Sequence, residues 1–199
     1  MTQTDSKNES ELNILGLGGS LRPGSYTQLA LEYALQQAQA PGVNTQMWSQ
    51  QQLRLPLCDG GETSNEVAAL QAAVEHADAL VLATPEYCGT VSACMKNLIE
   101  WIGYERLVQK PVGLIAVAAG SSADGSLNAL RQLALVQGMW IIPAAAPVPL
   151  AERVFTQQDS QDSDEFSQLV LHHLKSLGNA IPEAIRRLNT PSANFEAHQ

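Results

Sequence analysis

The chain has 199 residues, 45% hydrophobic but only 5% aromatic, with a formal net charge of −9 and an isoelectric point near 4.8. That length fits one domain with an aliphatic core, able to bury about 70% of the surface its unfolded chain exposes. The acidity argues against nucleic-acid partners and anionic membrane surfaces, and no apolar run approaches the ~20 residues of a membrane helix.

The start, MTQTDSKNESE, is polar and acidic, unlike a signal or transit peptide. Residues 12–19 form an apolar run ending in glycine and read as a first strand. Residues 26–40 carry apolar Leu29, Ala30, Tyr33 and Ala34 at helical spacing and stop at Pro41 and Gly42. Residues 43–49 alternate like a less buried strand, and 50–64 hold Pro56, Gly60 and Gly61 and read as a long loop. A second helix is expected over 65–77, capped by Thr63 or Ser64.

Residues 78–85 are apolar on both faces, as a central parallel strand should be. A helix over 92–105, a buried strand over 111–120 and a helix over 126–138 closed by Gly138 follow. Residues 139–148 give a fifth strand broken early by Pro143, and a long helix runs over 164–188. Residues 1–10 and 190–199 read as tails around one domain spanning 11–189.

Five strands alternating with five helices predict an α/β fold: a three-layer, doubly wound sandwich around a five-stranded parallel sheet. Ligands of such sheets bind beyond the carboxyl ends of the strands. The loops there are 19–25, 85–92 and 120–126, all rich in Gly and Ser.

The first loop, GLGGSLRPGSYT over 16–27, supplies free amides at a helix N-terminus, the hydroxyls of Ser20, Ser25 and Thr27, and the guanidinium of Arg22. A dinucleotide fingerprint from Gly16 fails at Leu21, and a phosphate-binding Walker loop from Gly19 lacks its lysine at Ser25. What remains suits a terminal phosphomonoester that is held rather than transferred, or a serine-capped helix without ligand. The second loop, 85–92, offers exposed amides around Gly89 and the amphipathic ring of Tyr87. It reads either as an ordinary strand-to-helix connection or as a shelf for a flat heterocycle. Beside a phosphate cradle, the second reading describes a site for flavin mononucleotide (FMN).

At these residues the sequence resembles the NADPH-dependent FMN reductases of flavodoxin-like fold. Their first pattern, Gly-Ser-x-Arg-x-x-Ser-x-Thr/Asn, matches Gly19, Ser20, Arg22, Ser25 and Thr27. The second, near Pro-Glu-Tyr-Asn-Gly-Ser/Thr-x-Pro-x-x-Leu-Lys-Asn-x-Ile-Asp/Glu-Trp, matches Pro85, Glu86, Tyr87, Gly89, Thr90, Lys96, Asn97, Ile99, Glu100 and Trp101. Cys88 stands where asparagine is usual, and Ser92 where proline is usual.

The likeness covers about 12–188 and implies strand order 2-1-3-4-5. It implies FMN held by Ser20, Arg22, Ser25, Tyr26, Thr27, Pro85, Glu86, Tyr87, Cys88 and Gly89, with Gly120 and Ser121 from the third loop. It further implies hydride passing from NADPH to flavin N5 and on to free flavin, a quinone, an azo compound or a metal oxyanion, with no catalytic side chain. A homodimer or homotetramer is implied as well. A flavodoxin-like electron carrier and a flavin-binding regulator are the alternatives.

Several residues have plainer readings. Met95, Leu98, Ile99 and Ile102 fall at core spacing, Lys96 and Glu100 form an i,i+4 surface pair, and Trp101 covers the sheet or meets another subunit. Arg22 and Arg106 are the candidate partners of an NADPH 2′-phosphate. Three cysteines without metal spacing and four scattered or adjacent histidines predict no metal site. The odd cysteine count suits free thiols in a reducing cytoplasm.

Overall fold

The computed structural model describes residues 11–49, 55–61, 63–156 and 164–189. The tails expected over 1–10 and 190–199 lie outside them, as does part of the 50–64 loop. Parallel strands β1 (Leu12–Gly18), β3 (Ala79–Tyr87) and β5 (Pro111–Val117) form the sheet's centre, β2 (Val43–Ser49) lies at one edge, and β6 (Trp140–Ile141) and β7 (Ala146–Val148) share the far edge. The order β2-β1-β3-β5-β6, with β7 also on β5, is the flavodoxin-like 2-1-3-4-5 expected from sequence.

Strand periodicity divides the core into two. Ile14, Val81 and Ile115 point to one face, covered by α1 (Tyr26–Ala38), α6 (Ala151–Thr156) and α7 (Glu165–Asn189). Leu15, Leu80, Leu82 and Leu114 point to the other, covered by α2 (Asn65–His76), α3 (Ala93–Ile102) and α5 (Asp124–Val136). Alternation of two buried sets on one strand is what a sheet covered on both faces requires. Helices α1 and α7 pack so closely that a Cβ on Gly178 would overlap the Ala34 carbonyl oxygen.

The structure departs from the expected boundaries at informative places. The helix expected over 92–105 breaks at Gly103, whose φ of +80° is left-handed, leaving α3 and a one-turn α4 (Tyr104–Leu107). The fifth strand is two stubs on either side of Pro143, which has no N–H to give the ladder. The strand expected over 111–120 stops at Val117, and α5 starts two residues early, at Asp124. Six-residue α6 is too short for a legible period, so the described residues hold seven helices where five were expected. Ser64, one of the two anticipated caps of α2, accepts from the Val67 amide at 3.4 Å.

Candidate functional site

The largest local correction falls on the second loop. Strand β3 continues through Pro85, Glu86 and Tyr87, turns at Cys88 and Gly89, and returns as β4 (Thr90–Val91), paired antiparallel to it. Residues 85–91 are therefore a β-hairpin, not an open connection. Both turn residues are left-handed, Cys88 at φ 53° and Gly89 at φ 73°. That is the signature of a two-residue type I′ turn, which favours Asn-Gly because asparagine tolerates the left-handed region. Cys88 occupies that position with a side chain poorly suited to it, and it is exposed along with Tyr87 and Gly89.

Three loops meet at the carboxyl ends of adjacent strands β1, β3 and β5, and hydrogen bonds join them. The hairpin is fastened to α5 by Glu86, whose Oε2 accepts from the Ser126 amide at 2.8 Å and the Ser126 hydroxyl at 3.0 Å. Ala123, at the N-cap position of α5, provides no side-chain cap, so Glu86 serves that helix end from another strand. Contact there is tight: a Cβ on Gly125 would overlap the Gly89 carbonyl oxygen.

The first loop is fastened to the base of the hairpin. The Gly19 amide donates to the Ala83 carbonyl at 2.8 Å, and the Gly19 carbonyl accepts from the Ser92 hydroxyl at 2.7 Å. Ser92 also caps α3, accepting from the Met95 amide at 3.1 Å, and its own amide donates to the Thr84 hydroxyl at 3.1 Å. Thr84 in turn donates to the Pro85 carbonyl. Every side chain in this chain of bonds is buried.

At the start of α1, Ser25 is the N-cap and accepts from the Gln28 amide at 3.2 Å. Ser20 and Thr27 are buried, and the Ser20 hydroxyl accepts from the Arg22 amide at 3.3 Å. Ser20, Ser25, Thr27 and Met47 help line a shallow depression of ≈10 Å³, about one water in size. Arg22 is exposed beside it. Tyr26 faces away from the hairpin and stacks on Phe155 of α6, ring centroids 6.1 Å apart. In the third loop Gly120 and Ser121 are exposed, and the Gly120 carbonyl accepts from Leu150.

Positions beyond the expected set also shape this edge. Asn97 accepts from the Cys58 amide and donates to the Pro56 carbonyl, each at 2.8 Å, and the Trp101 indole donates to the same carbonyl at 2.8 Å. The Asn-x-x-x-Trp spacing of α3 thus pins the loop that follows β2. Lys96 and Glu100 do form the anticipated surface pair. Arg106 is engaged by Glu75 at 2.6 Å and by the Ile102 carbonyl, within the α2–α4 contact. Burial pushes the Cys94 thiol up, which keeps it protonated. No group of three or more potential metal ligands occurs among the described residues.

With that geometry established, comparison with known proteins is informative. The chain is 38% identical over 82 residues to an NADPH azoreductase of Bacillus sp. strain OY1-2, covering 40% of this chain and 45% of that protein. It spans about half the length of further curated relatives too. Likeness to a quinone reductase of Escherichia coli K12 is weaker, 28%, but extends over 89% of this chain and 97% of that one. Among solved structures, an oxidoreductase from Corynebacterium diphtheriae superposes with a TM-score of 0.66 at 17% identity, covering 87% of this chain and 99% of that one; this establishes the shared fold. The family model described as NADPH-dependent FMN reductase matches residues 12–152, from β1 into α6 and across all three loops. The chain belongs to the NADPH-dependent FMN reductase family.

Proposed function

We propose that this protein is an FMN-dependent oxidoreductase that takes reducing equivalents from NADPH and delivers them to a small-molecule acceptor. The observation that carries this reading is the cross-linking of the phosphate-type loop and the hairpin through Gly19, Ser92 and Thr84. Two loops built for different parts of one ligand gain nothing from rigid mutual placement unless the ligand spans both.

The residues fit the group. Buried Ser20 and Thr27 and half-buried Ser25 line a depression too small to enclose a phosphate, which would rest at its mouth on the α1 N-terminus, with exposed Arg22 in the same loop. The turn of Cys88 and Gly89, with Tyr87, is exposed for a flat ring to rest on, and Gly120 and Ser121 are exposed in the loop that follows β5. Pro85 and Glu86 shape the hairpin beneath. Tyr26, stacked on Phe155, anchors the helix that presents the cradle.

When bound, FMN supplies hydride acceptance at N5 and hydride release to the second substrate. The protein's part is binding, orientation and partial exclusion of water; no side-chain acid, base or nucleophile is needed. Relatives named as azoreductase and quinone reductase support planar azo or quinone acceptors here; free flavin and metal oxyanions belong to the same proposal. Exposed Tyr104, Leu135, Val136 and Trp140 give apolar surface to a homodimer or homotetramer. Unbridged Cys58, Cys88 and Cys94 suit a reducing cytoplasm.

The test is an anaerobic NADPH titration of FMN-loaded protein followed at the flavin absorption band. Stoichiometric bleaching, reversed on adding a quinone, is expected. Flavin that binds but stays oxidised makes the protein an electron carrier, and protein that takes up no flavin removes the reading altogether.

A further inference from the structure

We infer that Ser92 is a positioning residue that lets this protein distinguish phosphorylated from unphosphorylated flavin. The inference rests on the flavin-site reading above and deepens it. Ser92 is buried and sits at the N-terminus of α3, just past the hairpin of residues 85–91. An N-cap serine needs only to accept one amide hydrogen bond. Ser92 does that for Met95, yet its hydroxyl also donates to the Gly19 carbonyl at 2.7 Å, across 73 residues of sequence.

The consequence lies in the peptide unit that Gly19 shares with Ser20. The preceding peptide unit is already fixed, because the Gly19 N–H donates to Ala83 at 2.8 Å. A Cβ on Gly19 would lie 2.8 Å from the Met95 Cβ, so the backbone runs flush against α3. In a trans peptide the carbonyl and the following N–H point in opposite directions. Holding the Gly19 carbonyl toward Ser92 therefore turns the Ser20 N–H away from α3.

Ser20 opens the loop whose hydroxyls line the depression at the start of α1. The Ser92 bond thus sets the entrance of the anion cradle. It does so from the residue that also ties the base of the hairpin through Thr84. Removing the donor frees the peptide to rotate and leaves a buried carbonyl unpaired. The hairpin keeps its own ladder to β3 and its anchor at Ser126. Loss should fall on the phosphate end of the ligand and spare the ring end.

FMN and riboflavin differ only by the phosphate, so the ratio of their dissociation constants isolates the cradle. Fluorescence-quenching titrations of wild type, Ser92→Ala, Ser92→Thr and Ser92→Gly are compared, each with a thermal melt of the flavin-free protein. In Ser92→Ala the preference for FMN should fall about tenfold, the weight of one hydrogen bond. Riboflavin affinity should stay within about twofold, and Ser92→Thr should recover the preference to within about threefold. Ser92→Gly, a residue an N-cap tolerates far better than alanine, likewise has no hydrogen to donate, so it should lose the preference while melting above Ser92→Ala. It gives the reading should the alanine variant fold poorly.

A preference unchanged in Ser92→Ala and Ser92→Gly, whether both affinities fall together or neither moves, reduces Ser92 to a helix cap and overturns the inference. So does wild-type protein that binds both flavins equally, which leaves the redox reading intact. Wild-type protein that binds neither flavin overturns both.

Discussion

The two ends of the sheet invite comparison. At the amino end, Asp78, Gln109, Pro111, Trp140 and Leu188 line a cleft of ≈370 Å³, whereas the depression beside Ser20 at the carboxyl end measures ≈10 Å³. Polar groups at the amino end tie the ends of strands and helices to one another. Asp78 accepts from the Asn13 amide, the Gln109 amide donates to Gly138, and Lys110 donates to the Val74 and Ala77 carbonyls at the end of α2. At the carboxyl end the polar groups join one loop to another: Gly19 to Ser92, Thr84 to Ser92, Glu86 to Ser126. Empty volume and binding capacity are separate properties, and the second follows from loops held in fixed relation.

The sharpest way to break the comparison uses two glycines with the same steric problem in different places. Gly125→Ala drives a methyl into the Gly89 carbonyl, and Gly178→Ala drives one into the Ala34 carbonyl. Both should cost about 1–3 kcal/mol by chemical denaturation. Only Gly125→Ala should also weaken FMN binding, by about tenfold or more, since it alone displaces the hairpin. Equal flavin binding in the two variants would detach the hairpin from the site.

A smaller effect is expected at Glu86. Glu86→Ala strips α5 of its tertiary cap and should lose about 1–2 kcal/mol, with weaker FMN binding as the hairpin loosens. Glu86→Gln retains one acceptor oxygen and should lose less, although it gives up the charge at the helix N-terminus.

Cys88→Asn should move stability the other way, by about 0.5–1 kcal/mol, because asparagine accepts the left-handed conformation that Cys88 now holds. A melt that falls instead would mean the thiol makes a contribution beyond the turn.

The smallest effect belongs to the amino end and to pH. Burial lowers the Lys110 pKa from its ordinary value of 10.5, against the opposing pull of the Asp78 and Glu75 carboxylates. Between the depressed folded value and the unfolded one, the unfolded chain binds more protons, so this group makes stability rise with pH. The stability of wild type relative to Lys110→Met should rise as pH climbs through that window, while FMN binding near neutral pH stays equal. A flat difference would show that the ammonium is not penalised where it lies.

Local signals carried the architecture. Alternation and run length in β1, β3 and β5, the capping serines 25 and 64, and Gly138 at φ 67° after α5 all act within a few residues of sequence. What escaped the sequence acts at long range. Glu86 finds Ser126 40 residues away, Asn97 finds Pro56 across 41, and neither pairing leaves a periodic trace. Ser92 was legible only as a departure from a proline pattern, because its role depends on a glycine carbonyl 73 residues upstream. The hairpin was hidden for a different reason. A type I′ turn announces itself through Asn-Gly, and Cys-Gly conceals it.

The interrupted far edge of the sheet bears on how copies of this protein behave when crowded together. Trp140–Ile141 and Ala146–Val148 are two and three residues long, and Pro147 lacks the N–H that a visiting strand would seek. A stranger's backbone arriving there meets too few unpaired amides to zip onto. Growth of the sheet from molecule to molecule along that border is blocked by a gap in the ladder, without any charged guard.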